Sequence, residues 1–514
     1  MEKKAAQQVY DDAIASGGSA FLLETSKERS DIFTTSVGNL LPGATVVIEL
    51  TYVTELENLR KMNTDGEVYG PHQISFSIPT TMVAPPSTFD PDENPSETTF
   101  KEPPYKLNLN VLLDVPESSD TFNVYTPTHQ DVAIISGDKK NISISNRPLD
   151  GNFVLIVEHN IPKLEISQDE KAVVFHVLPQ YPMDLKISKG DEETDICIVL
   201  DQSGSMSGEL HSTAIEGIKQ ILELSKNQKV KLNIFRFGSD GKFLLDSFVA
   251  VTDSGPYSPD DIISSIKKFK NMYGTDLKRA FQMILGQLAR KSTIFLFSDA
   301  EISGDKDQEL VDLIQKWLQK EQISIYPIGI GNSPNTHLIR ELGRVGHGFS
   351  EFCAVSPNNP NINRENVVCA VLRQWARAFS SLKNVSFRFL DQNNEPILTN
   401  NLISAPFNLP PLISGIVQNI YTFNQSNDKQ KTLQALEITA NLRDGTPYIS
   451  KIATSDHKAN YPFNVNEKLT ARGYIREMGL YYDNNPTIKN NIVELAVHYT
   501  IASSYTSFVA VEEP

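Results

Sequence analysis

The sequence predicts a multidomain chain whose central part is an α/β, doubly wound, Rossmann-like domain flanked by all-β segments. Its 514 residues, at roughly 150 per domain, give a prior of about three domains. Strand-like and helix-like patterns alternate between residues 194 and 380, the signature of a parallel sheet with helices on its faces. The stretches on either side are instead short, β-branched and separated by turn signals.

Taken in order, Ala6, Val9, Tyr10, Ala13 and Ile14 share one helical face, so the chain opens on a helix. In ATVVIELTYV, Val46, Ile48, Leu50 and Tyr52 alternate with Val47, Glu49 and Thr51, as in a half-buried strand. Residues 81–104 are rich in Pro, Ser, Thr and acids without periodicity and read as a linker. Over residues 105–190, LNLNVLLDV, DVAIISG, NFVLIVEHN and KAVVFHVLP predict a second all-β segment.

The pattern then changes. DICIVL is a strand, Ile215, Ile218 and Leu222 mark a helix, KLNIFRFG is a strand, and Ser258 is an N-cap for SPDDIISSIKKFK. Leu277, Ala280, Phe281, Ile284, Leu285 and Leu288 form one helical stripe, followed by strand STIFLFSD, helix DQELVDLIQKWLQK and strand ISIYPIGIG. A long helix with Val368, Val371, Leu372, Trp375 and Phe379 on one face closes the unit. In residues 384–514, NVSFRFL, ALEITANL and the terminal ELAVHYTIASSYTSFVAVEE have strand composition around one helix near Glu467 to Tyr481.

Composition excludes several functions. The formal charge of −16 opposes any broad nucleic-acid or anionic-membrane surface. The longest apolar runs, such as Ile294 to Phe297, fall far short of the roughly 18 residues of a membrane helix. Cys197, Cys353 and Cys369 form neither a disulfide framework nor a zinc pattern, which favours a reducing, intracellular setting. The opening residues lack the apolar core of a signal peptide. No G-x-S-x-G, Walker-type loop or H-E-x-x-H occurs, so hydrolase, NTPase and zinc-protease readings have no anchor. Gly329-Ile330-Gly331 begins a dinucleotide-type motif but has Pro334 where the last glycine belongs.

The chemistry gathers at strand ends. DICIVL runs into Asp201-Gln202-Ser203-Gly204-Ser205, a carboxylate and two hydroxyls at the carboxyl end of a parallel strand, where open α/β sheets bind ligands. This hard-oxygen set suits Mg²⁺, Mn²⁺ or Ca²⁺. D-x-S-x-S alone should occur by chance in roughly one such chain in five. Thr275, before a helix, and Asp299, at the end of STIFLFSD, add oxygen ligands at equivalent places.

With this triplet the sequence resembles a von Willebrand factor A domain with a metal-ion-dependent adhesion site, over about residues 194–380. The resemblance implies that Ser203, Ser205 and Thr275 coordinate the ion through hydroxyls, with Asp201 and Asp299 acting mainly through bound waters. An Asp or Glu of a protein partner then completes the octahedron. The family often has Asp-Gly where this chain has Asp299-Ala300-Glu301.

Residues 1–80 look like the second half of a VIT module, the vault and inter-alpha-trypsin domain, which implies roughly 60 further residues ahead of them. A signal peptide there would make the chain secreted. The arrangement is similar to that of inter-alpha-trypsin inhibitor heavy chains and of the intracellular von Willebrand factor A domain-containing proteins of the protein 5 group. The vault poly(ADP-ribose) polymerase has the same modules, without its catalytic domain being recognisable here. The resemblance also implies that the β segments before and after the A-domain pack as one sandwich-like hybrid domain.

Plainer readings stand beside these. Asp201, Ser203 and Ser205 also fit a capping turn, and Asp276 and Glu301 fit ordinary acids at helix starts as well as ligand neighbours. His211 reads as a surface helix residue, Cys197 as a small core residue, and Trp317 and Trp375 as packing. The expected function is a non-enzymatic, cation-dependent protein-interaction module. The alternative is a metal-independent scaffold with a vestigial site.

Overall fold

The structure is a computed structural model. It describes residues 1–514 except 26–32, 79–105, 115–121, 130–132, 149–152, 161–165, 188–192, 269–273, 289–290, 302–306, 319–321, 332–333, 357–358, 398–401, 424–431, 455–457, 460–463, 483–484 and 513–514. The expected linker at residues 81–104 lies outside the described residues.

Helix α1 (Lys3–Ala15) leads into an antiparallel pair, β1 (Ala20–Thr25) and β2 (Phe33–Gly38). Of the five residues on the expected apolar face of α1, only Ala6 is fully buried. The expected strand over residues 44–53 does not form. Val47 is 87% and Tyr52 69% exposed, and no strand lies beside this stretch among the described residues to accept its hydrogen bonds. Period-two alternation makes a strand only where a neighbouring backbone satisfies its polar groups.

Next come β3 (Glu57–Met62), β4 (Val68–Ile78), β5 (Lys106–Leu112), β6 (Phe122–Tyr125), β7 (Ile134–Ile135), β8 (Asn141–Pro148) and β9 (Phe153–His159). They form two antiparallel sheets, β3-β4-β9-β6 and β5-β8-β7, which share a core of Val124, Ile142, Ile144, Phe153, Leu155 and Val157.

After β10 (Ile166–Gln168) and β11 (Ala172–Val177), the α/β unit runs through β12 (Thr194–Asp201), α2 (Glu209–Ser225), β13 (Val230–Phe237), β14 (Gly241–Phe243), α3 (Pro259–Lys267) and α4 (Leu277–Leu285). It continues through β15 (Lys291–Ser298), α5 (Asp307–Leu318), β16 (Gln322–Ile330), α6 (Thr336–Val345), β17 (Glu351–Cys353) and α7 (Pro360–Phe379). The sheet order is β14-β13-β12-β15-β16-β17, parallel except for the edge strand β14.

Alternation along β12 builds both faces. Ile196, Ile198 and Leu200 pack with Ile215 and Ile218 of α2, Ile262 of α3 and Trp375 of α7. Cys197 and Val199 pack on the other side with Phe281 of α4, Ile314 of α5 and Leu338 of α6. The unit is therefore doubly wound. Cys197 is a core residue, Trp375 is buried, and Trp317 packs half-buried against the second core. Ser258 accepts from the Asp261 amide and caps α3.

The remainder comprises β18 (Lys383–Asp391), β19 (Ser404–Ala405), β20 (Gln418–Phe423), β21 (Leu433–Asn441), β22 (Pro447–Ala453), β23 (Lys458–Ala459), α8 (Val465–Tyr482), α9 (Pro486–His498) and β24 (Phe508–Val511). The strand composition read from ELAVHYTIASSYTSFVAVEE is corrected at its start, because residues 494–498 end α9. That helix is started by Asn485, whose side chain accepts from the Thr487 amide, and by Pro486 in the first turn, and it buries Ile492 and Ala496 at i, i+4.

Strands from both sides of the α/β unit share one sheet, β19-β20-β11-β10-β23, with Ala172 opposite Phe423. It packs on β18-β21-β22 through Phe175, Phe389, Ile420 and Leu436. The last strand returns to the first, pairing β24 with β1.

Candidate metal centre

Asp201 ends β12 opposite Phe237 of β13, and the Gln202 amide donates to the Phe237 carbonyl at 2.8 Å, so the sheet carries on one residue past Asp201. The chain then turns sharply. The Ser203 amide donates to Asp201 Oδ1 at 2.8 Å, and Ser203 Oγ lies 3.0 Å from Ser205 Oγ. Met206, 1% exposed, anchors the turn in the core, while Ser205 faces solvent. These residues do not cap α2, whose N-cap is Gly208 with no side-chain capping bond.

Asp299 follows β15, the neighbour of β12, and hydrogen-bonds Ser205. Thr275 reaches the same end of the sheet by another route. The Asp276 amide donates to the Gly238 carbonyl at 2.9 Å, one residue beyond the partner of Asp201. Gly274 before it has φ +73°, and a Cβ there would stand 2.7 Å from Ser239 Oγ, so the approach of this loop needs glycine. Asp201, Ser203, Ser205, Thr275 and Asp299 thus end at one edge of the parallel sheet, with Asp201, Ser203 and Asp299 buried and Thr275 half-buried.

Burial pushes the Asp201 carboxyl up to about 6, and the Asp299 charge adds to this against the hydrogen bonds from Ser298 and Ser203. Asp299 is also raised by burial, opposed by its bond from Ser205. Two buried carboxylates facing hydroxyls form a set of hard oxygens in which a cation would offset the desolvation.

Asp276 and Glu301 do something else. The Asp276 side chain accepts from the Arg279 amide at 3.0 Å and caps α4. Glu301 is exposed, and its amide donates to Asp299 Oδ1 at 3.2 Å. Among the described residues no group of three or more His, Cys, Asp or Glu is placed to hold a metal, so an ion here depends on the hydroxyls.

Three supports escape the sequence reading. Ser298 Oγ donates to Asp201 Oδ2 at 2.5 Å. Arg236, 5% exposed, reaches from β13 to Gln202 Oε1 at 3.2 Å, beside His211, which is expected on a helix surface but is half-buried with Nε2 3.4 Å from Gln202 Nε2. Asn335 donates its amide to the Asp299 carbonyl at 2.7 Å and caps α6. An arginine inside the apolar strand KLNIFRFG was the available signal for the second. A cleft of about 400 Å³ lined by Arg60, Tyr181, Met183 and Ser414 includes none of the expected ligands.

Residues 194–352 match the family model of the von Willebrand factor type A domain, and residues 1–52 that of the vault protein inter-alpha-trypsin domain. The chain carries both a VIT module and a von Willebrand A domain. Along 100% of its length it is 26% identical to the human protein mono-ADP-ribosyltransferase PARP4, covering 29% of that protein. It is 24% identical to a von Willebrand factor A domain-containing protein of Dictyostelium discoideum, covering 99% of this chain and 52% of that one. With human von Willebrand factor A domain-containing protein 5A the identity is 22%, over 100% of this chain and 66% of the relative. The chain therefore spans a third or less of the first relative and about half of the second. A solved von Willebrand factor type A structure from Catenulispora acidiphila aligns with 75% of this chain and 89% of its own at 10% identity and a TM-score of 0.36. The A-domain match covers the strands of the parallel sheet, and the VIT match contains α1, β1 and β2. A-domains are commonly protein-interaction modules, and among the described residues no helix of this protein is long and apolar enough to cross a membrane.

Proposed function

We propose that the A-domain holds Mg²⁺, or Mn²⁺ or Ca²⁺, through Ser203, Ser205 and Thr275, with Asp201 and Asp299 behind them, and captures an Asp or Glu side chain of a protein partner. The observation that carries this reading is the Asp201–Ser205 turn. Its hydroxyls cap no helix, Asp299 is hydrogen-bonded to Ser205, and Ser205 is open to solvent. The bound ion would supply a Lewis-acidic position for an incoming carboxylate. The protein's own part is orientation: Ser298 fixes Asp201, Asn335 fixes the Asp299 backbone, and Arg236 fixes Gln202 between two ligands.

The module is non-enzymatic in this reading, since the buried acids face hydroxyls rather than a nucleophile with its base. Three free, buried cysteines favour a reducing, intracellular setting. One observation favours a metal-independent scaffold instead: both Asp201 oxygens already accept hydrogen bonds, from Ser203 and Ser298, so the turn is closed without an ion.

Electron paramagnetic resonance of added Mn²⁺ separates the two. Binding that weakens at least tenfold in Ser205→Ala and Thr275→Ala, with a spectrum that changes when a glutamate-bearing peptide is added, supports capture. Equal Mn²⁺ binding in wild type and both variants contradicts it.

A further inference from the structure

Two arginine pairs meet where the A-domain touches the C-terminal helices. Arg340 and Arg344 stand at i, i+4 on α6, and Arg472 and Arg476 at i, i+4 on α8. Residues so spaced share a helix face, and like charges there repel. The cluster is cationic in a chain of net charge −16.

The carboxylates present are few and already engaged. Arg344 ion-pairs with Glu341 and, through Nη1 at 3.8 Å, with Glu477 Oε1, the second contact being too long for a hydrogen bond. The other Glu477 oxygen accepts from the Phe407 amide at 3.2 Å. Glu55 lies close enough to act on Arg472, which also feels the charges of Arg476 and Arg340. Arg340 rests over the Phe352 ring at 5.1 Å.

What remains is unsatisfied donor capacity. The Arg344 side chain is 16% exposed, and its Nε and Nη1 are buried without an acceptor. Burial lowers its pKa, with the Arg476 charge adding to this against the pull of Glu341 and Glu477. Among the described residues Arg472 and Arg476 make no hydrogen bond or ion pair, and both are exposed. Buried donors without acceptors are rare in folded proteins, and each calls for a partner such as a water or an anion.

We propose that the α6–α8 seam binds a phosphoryl group, with Arg344 Nε and Nη1 as its floor and Arg472 and Arg476 closing on it from the α8 side. A dianion with three acceptor oxygens suits a cluster in which four guanidiniums meet three carboxylates, Glu55, Glu341 and Glu477. Two donor atoms of Arg344 make no hydrogen bond to Glu341 or Glu477, and a water would satisfy those but add no negative charge beside Arg472 and Arg476, which form no ion pair among the described residues. The site is separate from the metal centre. Arg344 lies nine residues past Asn335, which bonds to Asp299, or roughly 13 Å along the helix. The phosphoryl group could belong to a free small anion or to a phosphorylated side chain, and both offer the same chemistry.

The test uses the full chain and Arg472→Gln/Arg476→Gln, two exposed positions whose loss leaves the core packing untouched. Thermal midpoints are measured against inorganic phosphate and against chloride at matched ionic strength. We expect a saturable rise specific to phosphate in wild type, with apparent affinity at least tenfold weaker in the double variant. Anisotropy titration of a phosphoserine peptide and its serine counterpart then assigns the source. Phosphopeptide binding tighter than inorganic phosphate points to a modified side chain, and comparable or weaker binding to a small anion. A phosphate effect no larger than that of chloride, or one unchanged in the double variant, overturns the proposal and leaves bound water as the occupant.

Discussion

Ala300 follows Asp299 at φ +52°, in the left-handed region, with its methyl fully buried. This is where the family pattern often has glycine, and the conformation gives the reason: an L side chain there costs roughly 1–2 kcal/mol. Ala300→Gly should relieve that strain but lose a buried methyl worth about 0.8 kcal/mol and loosen the unfolded chain, so stability should change by less than about 1 kcal/mol. Ala300→Val adds β-branched crowding in a packed site and should cost about 2–4 kcal/mol. Urea midpoints of the two variants check this, and a harmless valine would contradict the backbone reading. A second residue-scale effect lies at His72, stacked on His159 at 5.5 Å with Arg60 Nη1 at 2.9 Å from its Nε2. Burial, then the Arg60 and His159 charges, push His72 down to about 4. Between an unfolded value near 6.5 and that folded value the unfolded chain binds more protons, so stability is lost as pH falls through this window. For a half-buried ring the effect is on the order of 1 kcal/mol after solvent screening. The difference in urea midpoint between wild type and His72→Gln should therefore shrink from pH 7 to pH 4.5, and a constant difference would refute the assignment.

At the scale of elements, α7 is the helix that ties the A-domain to its neighbours. Arg373 donates to both Glu351 oxygens at 3.0 and 2.7 Å, Arg377 donates to Oε1 at 2.5 Å, and Arg373 Nη1 donates to the Arg60 carbonyl of β3 at 2.6 Å. The Glu351 side chain is 2% exposed. Burial pushes its carboxyl up, but the two guanidiniums outweigh this and hold it below its ordinary value. Glu351→Gln leaves two buried cations without their anion and should cost about 3–5 kcal/mol in urea unfolding. A loss under 1 kcal/mol would show that the cluster is not essential to the packing of α7. Most elements of the A-domain were legible because they carry their own apolar period: β12 alternates between two cores, and α4 buries Leu277, Ala280, Phe281, Ile284 and Leu285 of its expected stripe but ends at Leu285 with Gly286 as its C-cap, so Leu288 lies beyond the helix. Helix α6 escaped the reading. Its Gly343 disfavours a helix locally, yet a Cβ there would stand 2.9 Å from the Ser350 amide, a constraint set by tertiary contact. The stretch at residues 44–53 shows the converse, a local pattern for a strand without a partner among the described residues to complete it.

At the scale of the whole molecule, the chain ends meet. Leu22 of β1 pairs with Val509 of β24, the Met1 amino group donates to the Ser507 carbonyl at 2.9 Å, and the Lys3 amide donates to the Tyr505 carbonyl at 2.8 Å. Removing residues 508–514 should speed amide hydrogen exchange at least tenfold across α1 and β1 while leaving β12 unchanged. Unaltered exchange in β1 would mean that β24 does not hold it. Such pairings were not legible, because register between strands hundreds of residues apart depends on which edges are free after the intervening units fold. The candidate site divides the same way. Asp201, Ser203, Ser205 and Asp299 could be named from strand ends and Thr275 from the loop before a helix, whereas Ser298, Arg236 and Asn335 act through hydrogen bonds that appear only once neighbouring strands and loops are placed.

The most direct test of a working metal centre is calorimetric unfolding of the full chain in Mg²⁺ and in EDTA, for wild type, Asp201→Ala and Ser205→Ala. At Mg²⁺ near 100 times Kd the A-domain transition of the wild type should gain about 2.7 kcal/mol, and both variants should lose that gain. Identical midpoints in Mg²⁺ and EDTA for the wild type would contradict cation-dependent binding and leave the metal-independent scaffold as the function of this domain.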